Sequence, residues 1–315
     1  MDAFAYNRLL GRGINLGDAL DGPKEGAWGV TLEAEYFQAI KDAGFNSVRI
    51  PIRWSAHAQP EPPYTIDPAF FDRVDWAIDH ALSRNMAAVI DIHHYWEMDK
   101  DPLSHTARLI ALWRQIAARY QGRPETLFFE LFNEPSDQFT DERWAEIVPQ
   151  LLRTIRESSP NLMVVIGPAY WNSLDHLPLL QLPQNDERLI VTFHYYQPLQ
   201  FTHQGADWVP NSGPWLGTTW GTNQNRDDVR KDLEKAASWA RLSQRPIYLG
   251  EFGAIGQADM ESRALWTAAV AREAEKWGFS WSYWEFCAKF GAYDPTARNW
   301  RQLLLDALLD KQATK

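Results

Sequence analysis

Eight short apolar runs, separated from one another by amphipathic or loop-like stretches, constrain this 315-residue chain more than any other feature. They fall at residues 12–16, 47–51, 87–93, 127–132, 163–167, 189–194, 247–250 and 280–284. The runs are mostly continuous rather than alternating, which suits parallel strands covered on both faces. Helical periodicity fills the intervals at 33–43, 68–83, 103–120, 141–157, 226–242, 259–276 and 300–309. Thr31, and Asp67 with Pro68 behind it, read as helix caps. The stretch 168–188, rich in Pro, Leu and Asn, is expected to hold only a short helix. Eight strands alternating with helices predict a single α/β domain over residues 1–315, a (β/α)8 TIM barrel closed without an edge strand. The competing topology is an open doubly wound sheet. Against it, no glycine-rich phosphate turn follows the first strand, and GRGINLG lacks the downstream acidic spacing of a dinucleotide fingerprint. No solenoid-length repeat, low-complexity tract or Pro/Ser-rich linker interrupts the pattern.

Composition narrows the function. Hydrophobic residues make up 45% of the chain, which excludes disorder as its overall state. A net charge of −10 argues against nucleic acid or an anionic membrane as partner. No apolar stretch reaches the ~18–20 residues of a membrane span. The single cysteine, Cys287, forbids an internal disulfide and reads as an ordinary packed thiol. Sixteen tryptophans are more than a core of this size requires. Each one serves either core packing or stacking on the C–H face of a sugar ring.

In such barrels the chemistry sits where strands end at their C-terminal rim. The run LFFELF passes directly into Asn133-Glu134-Pro135, and a second run of the same design, RPIYLGEFG, ends in Glu251. Two strands that each deliver a glutamate to the rim make the arrangement required for cleaving a glycosidic bond. The fourth and seventh strands lie across the mouth from each other, so these acids can face one another. A gap of about 5–5.5 Å fits a retaining reaction and ~6.5–9.5 Å an inverting one. Other polar residues at strand ends are Arg49, His93, His94, His194 and Tyr196, with Trp284 beside them. Glu134 could instead cap a helix, and Glu251 could sit in a mobile Gly-Glu-Phe-Gly turn. His93-His94 suggests metal, but neighbours on a strand point to opposite faces, and no other group has ligand spacing. No metal or cofactor is expected. Arg49 is either a structural ion-pair partner or the fixed cation that keeps a carboxylate ionised.

Taken together, RGINLGDAL, VRIPIRW, DIHHYW, ELFNEP, TFHYYQPLQFTHQGADW, YLGEFG, WSYWEF and the following FGAYD resemble the family 5 glycoside hydrolases, nearly end to end and in order. Asp18 departs from the pattern, since relatives more often carry Asn there. The resemblance implies that Glu134 is the acid/base and Glu251 the nucleophile of a retaining double displacement. It implies that Asn133 binds the sugar 2-hydroxyl, that Arg49 and Tyr196 orient Glu251, and that His93, His94 and His194 line the same subsite. Trp284 would be its floor, with Trp28, Trp208 and Trp220 as more distant platforms. Two carboxylates so close cannot both ionise cheaply. Arg49 is expected to push Glu251 down and leave the proton on Glu134.

The implied activity is that of an endo-β-1,4-glucanase acting on cellulose and related β-glucans, with β-mannanase, xyloglucanase and other β-glucanases of the family as alternatives. A non-catalytic glycan-binding barrel would keep the tryptophans but lose a glutamate or its neighbours. A metal-dependent barrel hydrolase would be sensitive to chelators. A monomer is the default expectation. The opening MDAFAYNRLL carries no visible secretory signal, so expected secretion rests on a polymeric substrate that cannot enter a cell.

Overall fold

The computed structural model of the chain describes residues 1–309. In it the eight runs form eight parallel strands: β1 (Arg12–Asn15), β2 (Ser47–Ile50), β3 (Ala87–Asp91), β4 (Leu127–Glu130), β5 (Val164–Ile166), β6 (Leu189–Tyr195), β7 (Ile247–Phe252) and β8 (Ser280–Tyr283). They pair in chain order, and β1 closes on β8 through Gly13 opposite Ser282. The open sheet is thereby excluded. Helices between successive strands include Ala34–Ala43, Pro68–Leu82, Pro102–Arg119, Asp141–Ser158, Asn223–Ser243 and Met260–Lys276.

Alternation along each strand explains why the runs read as continuously apolar. Ile14, Val48, Ile50, Ala88, Ile90, Phe129, Val164, Leu249 and Trp281 belong to one apolar cluster shared with the helices. Residues of the opposite parity, Ala87, Val89, Phe128, Met163, Val165, Ile190 and Tyr248, form a second cluster inside the barrel. The helix Ala3–Leu10 seals its floor with Ala3, Tyr6 and Leu10. Asn7 ties that helix to the strands, donating to the Ile247 carbonyl at 2.9 Å and accepting from the Ser280 hydroxyl at 2.6 Å. Sequence periodicity missed this helix because two turns are too few to show a pattern.

One step further up the same inward parity, the side chains turn polar. Asn15 lies opposite Arg49, and Asp91 opposite Glu130. All four are fully buried. An apolar lower layer thus carries a polar upper layer aimed at the mouth.

β7 breaks the alternation. Phe193 pairs with Leu249, yet the next residue of β6, His194, pairs with Glu251. Gly250 is therefore the extra residue of a bulge. Were alternation regular through Gly250, Glu251 would face the surrounding helices; the bulge turns it inward. A Cβ on Gly250 would lie 2.6 Å from Thr192 Oγ1 and 3.3 Å from His194 Nε2, so the tight approach requires glycine here.

Asp67 caps its helix as expected, accepting from Ala69 N–H, with Pro68 in the first turn. Thr31 does not cap: the helix begins after Glu33, which makes no capping bond. The stretch 168–188 holds a turn at Ala169–Asn172 and a short 3-10 helix at Leu174–Leu179. Among the described residues, no helix is long and apolar enough to cross a membrane.

Candidate active site

Arg49 is the hub of the polar layer. Its Nε and Nη2 fork onto Glu130 at 2.7 and 2.9 Å, and Nη2 also meets Asp91 at 2.8 Å and Asn133 Oδ1 at 2.6 Å. Its Nη1 donates to Asn15 Oδ1 at 2.9 Å and to Glu251 Oε1 at 2.6 Å. Burial alone would depress the guanidinium, but Glu130, Asp91 and Glu251 overcome it and hold the group charged. Glu130 and Asp91 were not singled out by sequence. Their signal was nevertheless legible, because each is a carboxylate inside an apolar run.

Glu134 and Glu251 come together at this rim. Glu134 Oε1 lies 2.6 Å from His194 Nδ1, and Glu251 Oε2 lies 3.5 Å from the same nitrogen. One oxygen of each glutamate and a ring nitrogen of His194 all lie within 4.8 Å of one another. The Tyr196 hydroxyl donates to Glu251 Oε2 at 2.7 Å. Glu251 therefore has Arg49 on one oxygen and Tyr196 on the other, while Glu134 keeps a quarter of its side chain open to the mouth.

Electrostatics only partly follow expectation. Burial raises Glu134 to about 7, and Arg49 only partly offsets it. Glu251 was expected to be pushed down. Instead burial raises it too, with His194 and Arg49 working against that rise. The reason is that Arg49 is one cation shared among three carboxylates in a dry layer. His194 is held below its usual range, first by burial, so its ring is neutral near pH 7.

His93 and His94 correct a geometric expectation. β3 ends at Asp91, and His94 takes a left-handed backbone (φ 48°), so the rings meet edge to face with centroids 4.4 Å apart. Atoms of Asp21, His93 and His94 lie within 4.8 Å, close enough to hold an ion. All three already have protein partners. His93 Nδ1 bonds Asp91 at 2.7 Å, and His94 Nδ1 bonds the Asp21 carbonyl at 3.2 Å. The Asp21 carboxylate accepts the backbone N–H groups of Asp18 and Ala19 at 3.1 and 2.8 Å.

Trp284 stacks parallel to His93 with centroids 5.7 Å apart, and a Cβ on Gly17 would come within 2.7 Å of its ring. Trp28 and Trp208 are exposed, the latter with Lys289 Nζ 4.3 Å from its ring centroid. Trp220 does not serve as a platform. It is 4% exposed and belongs to the core, leaving no face for a sugar. Trp96 and Trp171 are exposed aromatics that sequence reading did not single out.

A closed barrel with two acids this close across its rim, flanked by exposed tryptophans, defines a glycoside hydrolase. The Cellulase profile, glycosyl hydrolase family 5, matches residues 12–290, and the chain belongs to that family. Endoglucanase H of Acetivibrio thermocellus is 38% identical over 294 residues, covering 93% of this chain and 31% of that protein. The chain thus spans about a third of the length of that curated relative. The structure of Thermotoga maritima Cel5A in complex with cellobiose superposes with a TM-score of 0.97 at 49% identity, covering 98% of this chain and 100% of that one. The same enzyme in complex with mannotriose matches with a TM-score of 0.97 at 48% identity and the same coverage.

Proposed function

We propose that the chain is a retaining endo-β-1,4-glucanase that cuts internal bonds of cellulose and related β-glucans by double displacement. The observation that carries this reading is the approach of Glu134 and Glu251 to within 4.8 Å. An approach that close favours the ~5–5.5 Å carboxyl spacing of retaining enzymes over the ~6.5–9.5 Å of inverting ones. Glu251, with both oxygens held by donors, attacks the anomeric carbon. Glu134, protonated below about 7, gives its proton to the leaving oxygen. In the second half Glu134 takes a proton from water as that water displaces Glu251. Asn133 has its carbonyl oxygen committed to Arg49, so its amide N–H donates to the sugar 2-hydroxyl. Trp284 is the floor for that ring, and His93 and His94 bind its remaining hydroxyls. Trp28 and Trp208 stack with more distant sugars.

The products test the mechanism. Proton NMR during early hydrolysis should show the β-anomer first; an α-anomer would refute the assignment of Glu251 as nucleophile. Mannan is the second reading, favoured by the Cel5A–mannotriose complex. Initial rates on carboxymethylcellulose, lichenan, xyloglucan and mannan separate the two. Mannan degraded much faster than every glucan would overturn the glucanase reading. A polymeric substrate places the reaction outside the cell, and the enzyme acts as a monomer.

A further inference from the structure

Three consecutive residues after β5, Tyr170, Trp171 and Asn172, hold left-handed backbone angles, with φ of 58°, 59° and 52°. Asparagine accepts that conformation readily, whereas tyrosine and tryptophan do so only under constraint from their surroundings. The Trp171 N–H pins the turn by donating to the Pro135 carbonyl at 3.1 Å, and Ser173 bridges to His194. The result is to deliver the fully buried Asn172 side chain against His194, the ring that both glutamates meet through Nδ1. Its Nδ2 donates to the Asn133 carbonyl, one residue before Glu134, and lies 3.2 Å from His194 Nε2. A Cβ on Gly167 would be 2.0 Å from Asn172 Oδ1, so the preceding glycine makes room for this carboxamide.

The carboxamide cannot be turned over, because a backbone carbonyl only accepts and must face the NH2 group. The other amide hydrogen is left for His194 Nε2, which must offer a lone pair. A neutral imidazole with a bare Nε2 carries its hydrogen on Nδ1, the nitrogen 2.6 Å from Glu134. We propose that Asn172 is a positioning residue that fixes His194 in the Nδ1–H tautomer, so that the ring donates to Glu134. This rests on Glu134 being the acid/base.

The consequence has a sign. An N–H donated to Glu134 favours its ionised form and makes it a stronger acid. The opposite tautomer would accept a bond from the protonated carboxyl and favour that form instead. Arg49, Asp91, His93, Asp99, Glu130, Tyr196 and Glu251 also face this pair.

Asn172→Gly keeps the left-handed turn and removes the carboxamide. It should raise the alkaline limb of kcat by about 0.5 pH units or more while KM moves little. In protein carrying 15N-labelled histidine, the native His194 signal should report hydrogen on Nδ1 and a bare Nε2. Asn172→Gly should mix the tautomers, and Asn172→Asp should place a hydrogen on Nε2. A native Nε2 that carries hydrogen overturns the proposal, and that measurement needs no variant to fold. So does a uniform fall in kcat with the limb unmoved. If Glu134→Gln retains the native alkaline limb, the acid/base assignment itself has failed, whatever tautomer His194 shows.

Discussion

Tyr196→Phe isolates one hydrogen bond at the proposed nucleophile. The phenol donates to Glu251 Oε2 at 2.7 Å, while its ring is anchored separately against His203 and Phe290. The variant should therefore fold and lose only the donor. Hydrogen bonds to charged groups contribute about 1.5–3 kcal/mol, and about 1.4 kcal/mol corresponds to one pH unit. Burial already raises Glu251, and the Tyr196 hydroxyl is among the groups that lower it. Losing that donor raises it further, because only the ionised form gains from the bond. The acid limb of kcat/KM should move up by roughly one pH unit, with about tenfold less activity below it. The assay is kcat/KM against pH with an aryl β-cellobioside, alongside circular dichroism to confirm folding. A limb that stays in place while kcat falls equally at every pH would refute the claim that Tyr196 acts through Glu251's charge.

Three further outcomes follow from the same geometry. Glu134→Gln should lose the alkaline limb near pH 7 and slow hydrolysis of natural glucan by at least ~10²-fold, with a smaller loss for substrates whose leaving groups need no proton; parallel pH–rate profiles check both. Gly250→Ala puts a methyl 2.6 Å from Thr192 Oγ1, so it should cost ~1–3 kcal/mol in a denaturant titration and lower kcat more than tenfold by shifting Glu251 and His194. Trp208→Ala should raise KM for long oligosaccharides more than for short ones, whereas buried Trp220→Phe should leave both KM values alone and lower only the melting temperature.

How much of the site was legible depended on what each residue needed. Glu134 and Glu251 stood out because an ionisable group ending an apolar run has no packing rationale. Asp91 and Glu130 carried the same signal but lay inside their runs, where parity decides direction, and only strand register shows that they point inward at Arg49. Asn172 had no signal at all. Its importance comes from a left-handed turn that brings it to His194. Trp220 misled because aromatic content alone does not separate a core ring from a sugar platform.

Hydrophobic patterning by itself determined the barrel: eight runs buried on both faces, spaced by amphipathic helices, have few other ways to hide their surface. It also determined which strands carry acids to the rim. Tertiary structure alone decided that those acids meet, since the bulge at Gly250 turns Glu251 inward and the curvature of the closed barrel brings the ends of β4 and β7 toward one another. It also decided their charges. One buried cation shared by three carboxylates leaves Glu251 raised rather than lowered, because desolvation depends on depth and neighbours that no linear spacing encodes.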